Sequence, residues 1–385
     1  MKQVCDINKC TGCSACMQVC PKKCIKMLPN KQGHIISVID EQQCINCERC
    51  VKTCPANYPP AFNYPKQCYA AWAKNEDVRM SCASGGISTV LSEYIINNGG
   101  IVYGCAILKE LEFKHIRVDN IKDLELLKGS KYVYSNCEDV YKNIKQDLSE
   151  NKKVLFIGTP CQNTGILNYI GKNENLYTID LICHGFPSQQ MLKELFAQVD
   201  IKDIKSVKFR ENNVRKIIYE KQNGENITIC NLSKQRWQNY YYEGFLSKTI
   251  IRNSCFECLF SKPKRIGDIT LGDFWGIGKK EKFEHSTKNG CCACLINTDK
   301  GQNLFNNIKD NIECYERNIN EAIEGNHSLR EISKKNLNSI IFNFLYPKIN
   351  FNSAVFLSCF DKILKYKIKK TVKTGISLFQ RNKTK

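Results

Sequence analysis

Apolar positions follow two regimes along the chain. Over the first 60 residues they are short and scattered, and one alternating stretch, Gly33-His34-Ile35-Ile36-Ser37-Val38-Ile39, predicts a strand. Asn57-Tyr58-Pro59-Pro60 then breaks the chain and marks a linker. From about residue 66 the periods lengthen. Ile87–Ile96 is amphipathic at helical spacing, opened by Gly85-Gly86 and stopped by Asn98-Gly99-Gly100, and Ile101-Val102-Tyr103 starts a strand. Val154–Ile157 predicts a short buried strand, Gly158-Thr159-Pro160 a turn and Gln162–Tyr169 a helix. Tyr177–Ile182 and Ser188–Gln198 repeat the strand–helix order. That alternation predicts a mostly parallel sheet with helices on its faces. Residues 201–245 give no clean period, and Tyr240-Tyr241-Tyr242 reads as an apolar face. Beyond about 345, Leu357, Phe360, Leu364, Ile368 and Val372 recur at helical spacing among lysines.

The 385 residues, 42% of them apolar, allow two or three domains with a real core. The best membrane-span candidate, residues 87–108, is broken by Glu93, Asn97-Asn98 and Gly99-Gly100, and the first residues have no apolar signal region. A cytoplasmic location is therefore expected, where thiols stay reduced. Under that condition 24 cysteines point to metal binding or catalysis rather than a disulfide framework. The formal charge of +19 would normally indicate nucleic acid or a membrane surface. Three thiolate-bound iron–sulfur clusters and a flavin pyrophosphate would lower it by about eight. The basic residues also lack the interleaved aromatics of a stacking platform, so no nucleic-acid partner is expected. Residues 361–385 carry nine basic side chains against one acidic. That tail is either a solvated helix end or a peripheral contact with an anionic membrane or a partner.

The strongest motif is a duplicated cysteine run. Cys10-x2-Cys13-x2-Cys16-x3-Cys20-Pro21 recurs 34 residues later as Cys44-x2-Cys47-x2-Cys50-x3-Cys54-Pro55. Three thiolates at this spacing wrap one face of an iron–sulfur cube, and in two-cluster ferredoxins the fourth comes from the other run. One 4Fe–4S cluster is thus assigned to Cys10, Cys13, Cys16 and Cys54, the other to Cys44, Cys47, Cys50 and Cys20. Structural zinc usually pairs one CxxC with a distant CxxC or histidines, a poorer match. Cys5 and Cys24 lie outside the pattern and read as buried thiols.

Cys161 and Cys183 each follow a predicted strand, so parallel neighbours would bring both to the carboxyl edge of one sheet, where α/β folds place ligands. Cys255 and Cys258 would complete four ligands, although a lone CxxC also reads as a redox or zinc pair. His184 reads as a satisfied structural histidine, or as an acid or ligand. Ser84-Gly85-Gly86 enters a helix N-terminus, suited to phosphate or simply a cap. Asp273, Phe274 and Trp275, within Gly267–Gly276, suit the edge and face of a flavin ring or a tight turn beside a core tryptophan. Lys131 is a candidate phosphate or substrate contact. No hydrolase or P-loop signature occurs.

In order along the chain, Ser84-Gly85-Gly86, Gly129-Ser130-Lys131-Tyr132-Val133, Gly158-Thr159-Pro160-Cys161-Gln162, Asp180-Leu181-Ile182-Cys183-His184-Gly185, Cys255-x2-Cys258 and Gly272-Asp273-Phe274-Trp275-Gly276 resemble the coenzyme F420 hydrogenase/dehydrogenase beta-subunit family. The resemblance covers roughly residues 68–330, behind a ferredoxin module. It implies an enzyme, a flavin-dependent iron–sulfur oxidoreductase, with Cys161, Cys183, Cys255 and Cys258 on a third 4Fe–4S cluster. It further implies FAD held by Ser84, Gly85, Gly86, Lys131, Asp273, Phe274 and Trp275, with Lys131 and Asp273 at the reaction centre. Cys82 departs from the family's usual serine and is not taken as a ligand. The implied donor is a redox partner protein such as a ferredoxin. The implied small-molecule acceptor is deazaflavin coenzyme F420 or, as surface-polysaccharide settings of bacterial relatives suggest, a sugar-derived compound. A non-catalytic electron-carrier or adaptor protein and a thiol/disulfide reductase using Cys255 and Cys258 are the competing functions. The expected fold is an α+β ferredoxin-like N-terminal module (1–65) followed by an α/β domain with a mostly parallel sheet. That domain has an N-terminal part (66–150) and a C-terminal part with flavin and third cluster (151–345), and a basic amphipathic tail (346–385) follows.

Overall fold

The structure is a computed structural model describing residues 2–211, 214–234, 236–237 and 239–383, with side chains through residue 371; Val372 and the rest of the tail fall outside the described side chains. Near the N-terminus, β1 (Ile25–Pro29) and β2 (Ile35–Ile39) form an antiparallel hairpin with Ile25 opposite Ile39. Each cysteine run carries one short helix, Ala15–Gln18 and Arg49–Thr53. The 34-residue repeat extends to the backbone. Gly12 and Asn46 are left-handed, with φ +71° and +57°, and so are Ser14 and Glu48, with φ +69° and +58°. Alternating left-handed residues curl the loop so that successive thiols turn toward one centre. Gly12 has a second constraint: a Cβ there would lie 2.8 Å from both Arg252 Nη1 and Ile35 O.

The remaining strands are β3 (Gln67–Ala73), β4 (Ile101–Leu108), β5 (Glu112–Val118), β6 (Val154–Gly158), β7 (Leu176–Leu181), β8 (Ile204–Glu211), β9 (Val214–Lys221), β10 (Asn226–Asn231), β11 (Ile269–Asp273), β12 (Cys292–Ile296) and β13 (Ile312–Arg317). Eight build one sheet, ordered β13-β3-β12-β11-β7-β6-β4-β5. Its centre, β11-β7-β6-β4, is parallel, as the strand–helix alternation predicts. Its margins are antiparallel, making the sheet mixed. A short connection, Lys109–Leu111, joins β4 to β5, and a link that short permits only an antiparallel return.

Alternation in β6 sorts the faces. Leu155 packs with Val102, Ile179 and the helix Ile87–Asn97, while Val154 and Phe156 pack with the helix Val140–Ser149 and Ile166. Cys13 and Ala15 of the N-terminal module join that second layer. Residues 204–231 form a separate antiparallel meander, β10-β9-β8, over a core with Tyr241, Tyr242 and Phe351. Register breaks in β8 and β10 explain why 201–245 shows no steady period. No helix among the described residues is long and apolar enough to cross a membrane.

Candidate functional site

The first cysteine set gathers as its spacing predicts. Cys10, Cys13, Cys16 and Cys54 are all buried, and Cys13 and Cys16 both sit in the fields of Cys10 and Cys54. Cys5 is more than a bystander. Its hydrogen bonds to Cys10 and Cys54 pull both thiols below the ordinary range, with Arg252 also lowering Cys10. Burial pushes Cys13 the other way, up to about 12. The second set, Cys20, Cys44, Cys47 and Cys50, surrounds a small hollow with Cys24, whose sulfur lies 3.4 Å from that of Cys20. Cys47 is exposed, and Cys20, Cys44 and Cys50 are half-buried, so this set is the outer one.

Cys161, Cys183, Cys255 and Cys258 converge on one void of about 100 Å³. Cys161 stands in the first turn of the helix Pro160–Ile170, fixed by a capping box between Thr159 and Gln162. Cys183 follows β7, Cys255 lies within the 3-10 turn Asn253–Glu257, and Cys258 directly follows that turn. Among the described residues no three His, Cys, Asp or Glu side chains meet closely enough for a metal ion. The four thiols ring a space instead, and a cube of eight atoms holds its thiolates farther apart than one ion does. Burial raises Cys161, and Cys183 to about 11, and neighbouring thiolates add to both shifts. Bound metal reverses that balance by deprotonating the ligand.

A buried pair that the sequence did not reveal locks this geometry. Arg265 Nη2 lies 2.8 Å from Asp180 Oδ1, and the Asp180 carboxylate also accepts from Thr270 Oγ1 (2.6 Å) and the amides of Ile266 and Gly267. The bond ties the loop after Cys258 to the strand before Cys183. Lys9, Thr11 and Ala56 complete the wall of the void, bringing the first cysteine set against it.

Beyond the void, across the carboxyl ends of the parallel strands, opens a cavity of about 320 Å³, within the ~300–1,000 Å³ range of small-molecule sites. Ser84, Lys131, Asp273 and Trp275 line it; Gly85 and Gly86 lie behind, and Phe274 packs inward with Trp72 and Cys291. Gly85 has φ +83°, and a Cβ there would meet Trp72 Cβ at 2.8 Å. Asp273 receives Arg210 Nη1 at 2.9 Å, Arg210 Nη2 at 2.5 Å and Ser84 Oγ at 2.6 Å. Burial works against ionisation, but Arg210 and Ser84 prevail and hold the carboxyl below its ordinary range. Lys131 gives its protons to the carbonyls of Leu126, Leu127 and Lys128, and burial lowers its pKa. Trp275 is 43% exposed, with Arg215 5.6 Å above its ring. Cys82 lines the rim, 3.1 Å from Thr89 Oγ1.

Cys183, His184, Gly185 and Phe186 border both the void and the cavity. His184 is only partly satisfied, with backbone hydrogen bonds to Phe245 and Leu246. Among the described residues its buried Nε2 has no partner, and burial lowers its pKa to about 4. Arg210 and Arg215, from the meander, are cavity residues without a motif; only a paired basic strand position hinted at them.

Residues 151–322 match the family described as the C terminus of the coenzyme F420 hydrogenase/dehydrogenase beta subunit, and residues 9–58 match the 4Fe-4S dicluster domain. Among solved structures, the chain is similar to one described as the F420-reducing [NiFe] hydrogenase complex from Methanosarcina barkeri in xenon derivatization. Identity is 17% and the TM-score 0.44, over 66% of this chain and 84% of that one. No curated protein matches. The chain is thus similar, over residues 151–322, to the C-terminal domain of the coenzyme F420 hydrogenase/dehydrogenase beta subunit, and over residues 9–58 to the 4Fe-4S dicluster domain, the mark of an iron–sulfur protein.

Proposed function

We propose that the chain is an iron–sulfur flavoprotein that takes single electrons through three 4Fe–4S clusters to FAD and passes them in pairs to an organic acceptor. The ligands are Cys44, Cys47, Cys50 and Cys20 for the outer cluster and Cys10, Cys13, Cys16 and Cys54 for the middle one. Cys161, Cys183, Cys255 and Cys258 hold the inner one. The observation that carries this reading is the segment Cys183–Phe186, which borders the four-thiol void on one side and the cavity on the other. A ferredoxin-like module at 1–65 and a flavin domain at 66–345, in two parts divided near 150, are the corresponding units.

Flavin, when bound, supplies the exchange between one- and two-electron chemistry. The chain's task is to hold and shield it. The turn at Ser84–Gly86 offers the N-terminus of the helix Ile87–Asn97 to a phosphate. Asp273, kept ionised by Arg210, accepts hydrogen bonds and orients a bound ring rather than donating a proton. Lys131 braces the rim through its three carbonyl bonds, and Trp275 with Arg215 presents a flat, cationic face to an acceptor. The acceptor is the deazaflavin coenzyme or a sugar-derived compound, and the donor is a ferredoxin-type protein meeting the exposed Cys47 side in the cytoplasm. The basic tail adds peripheral membrane contact.

Anaerobic purification tests the reading directly. Iron and acid-labile sulfide are expected near twelve atoms each, with one FAD reduced by a low-potential donor. About eight iron atoms and no flavin would remove both the third cluster and the enzyme. Three clusters without flavin would instead identify an electron carrier that docks a partner enzyme.

A further inference from the structure

Arg252 is 2% exposed, and among the described residues no carboxylate pairs with it. Its Nε donates to Cys10 O at 2.7 Å and its Nη2 to Ile35 O; Nη1 is buried, without a partner, against Gly12. Its backbone serves a different centre. The Arg252 amide donates to Phe186 O at 3.2 Å, and its carbonyl accepts from the Cys255 amide at 3.0 Å. One residue thus touches the loop Cys10-Thr11-Gly12-Cys13 with its side chain and two segments around the inner void with its main chain. Burying a guanidinium without a counter-charge is strongly unfavourable, and two neutral carbonyls repay little of it. An anionic group in the Cys10 loop would repay it.

We infer that Arg252 is the counter-ion of the middle iron–sulfur centre, a positioning residue whose fixed charge favours that centre's reduced, more negative form. The inference rests on the three-cluster reading and adds a direction to it. A cluster of four thiolates is an anion that gains one further negative charge on reduction, so a buried cation beside it raises its reduction potential. Electrons arriving at the exposed outer set are then drawn inward.

The test is potentiometric titration followed by electron paramagnetic resonance on the intact, reconstituted chain, in wild type, Arg252→Gln and Arg252→Lys. Iron and sulfide counts come first, because a wild-type value far below twelve rejects the three-cluster reading itself, independently of Arg252. With full loading, Arg252→Gln is expected to move one cluster to lower potential by at least tenfold in its reduction equilibrium, about 59 mV for one electron. The outer cluster should stay in place. Arg252→Lys keeps the charge and should stay within a few-fold of wild type. Unmoved potentials in Arg252→Gln overturn the inference. If that variant does not load its clusters, Arg252→Lys decides: a wild-type potential supports the charge, and a tenfold fall refutes it in favour of a role for the guanidinium's shape.

Discussion

His115 is sealed inside the main domain, its ring stacked on Phe156 at 5.1 Å, with Ser135 Oγ 2.8 Å from Nδ1 and Ile157 O 3.0 Å from Nε2. Burial lowers its pKa from 6.5 to about 4. The unfolded chain therefore binds this proton more readily. Its contribution is complete above about pH 6.5 and is lost as pH falls toward 4, a change of about 3 kcal/mol if fully expressed. His115→Gln should flatten the fall in unfolding free energy between roughly pH 7 and pH 4 by most of that amount. An unchanged slope would put the acid sensitivity elsewhere. Single residues were the least legible scale. Nothing marked His115, and Asp180 stood in a motif whose cysteine drew attention while its carboxylate does the anchoring. A partner 85 positions away cannot be read from local spacing. The eight cysteines of the duplicated run were legible because cluster chemistry limits the spacings that work, whereas Cys161, Cys183, Cys255 and Cys258 were expected only from their places after strands and from the family resemblance.

Elements read well where one period held. The helices Ile87–Asn97 and Pro160–Ile170 and the strands β6 and β7 stand within a residue or two of their expected places. The meander did not, because its short strands alternate lysine, arginine and glutamate with apolar residues and break register three times. The C-terminal helix Phe360–Lys383 carries the helical stripe into the structure. Leu357, just before it, and Phe360, Leu364 and Ile368 on it are each about half exposed, among Lys365, Lys367, Lys369 and Lys370. A stripe of this kind rimmed by lysines suits the headgroup layer of an anionic bilayer. In co-sedimentation, the full chain should bind vesicles containing phosphatidylglycerol and release them at high salt. Leu364→Glu with Ile368→Glu should weaken binding at least tenfold. Equal retention of both forms, or none of either, would leave the stripe to a protein partner.

The whole molecule is a sequence of compartments: an outer cysteine set, a middle set against the inner void, and the cavity behind the segment Cys183–Phe186. That serial order predicts how a break behaves. Cys183→Ser should leave the dicluster domain fully reducible while rapid-mixing absorbance shows flavin reduction slowed at least tenfold. Flavin reduced at the wild-type rate would mean that electrons enter the cavity directly. The order of the compartments was not legible in the sequence, because it depends on how the N-terminal module seats on the helix Pro160–Ile170, a contact no motif encodes. The exposure gradient along the series also bears on damage. With Cys47 at the surface and Cys10, Cys13 and Cys16 covered, dioxygen is expected to meet the outer centre of the dicluster domain before the buried one. On the proposed function, air would corrode this protein from one end, disconnecting it from its donor while the chemistry at the far end is still intact.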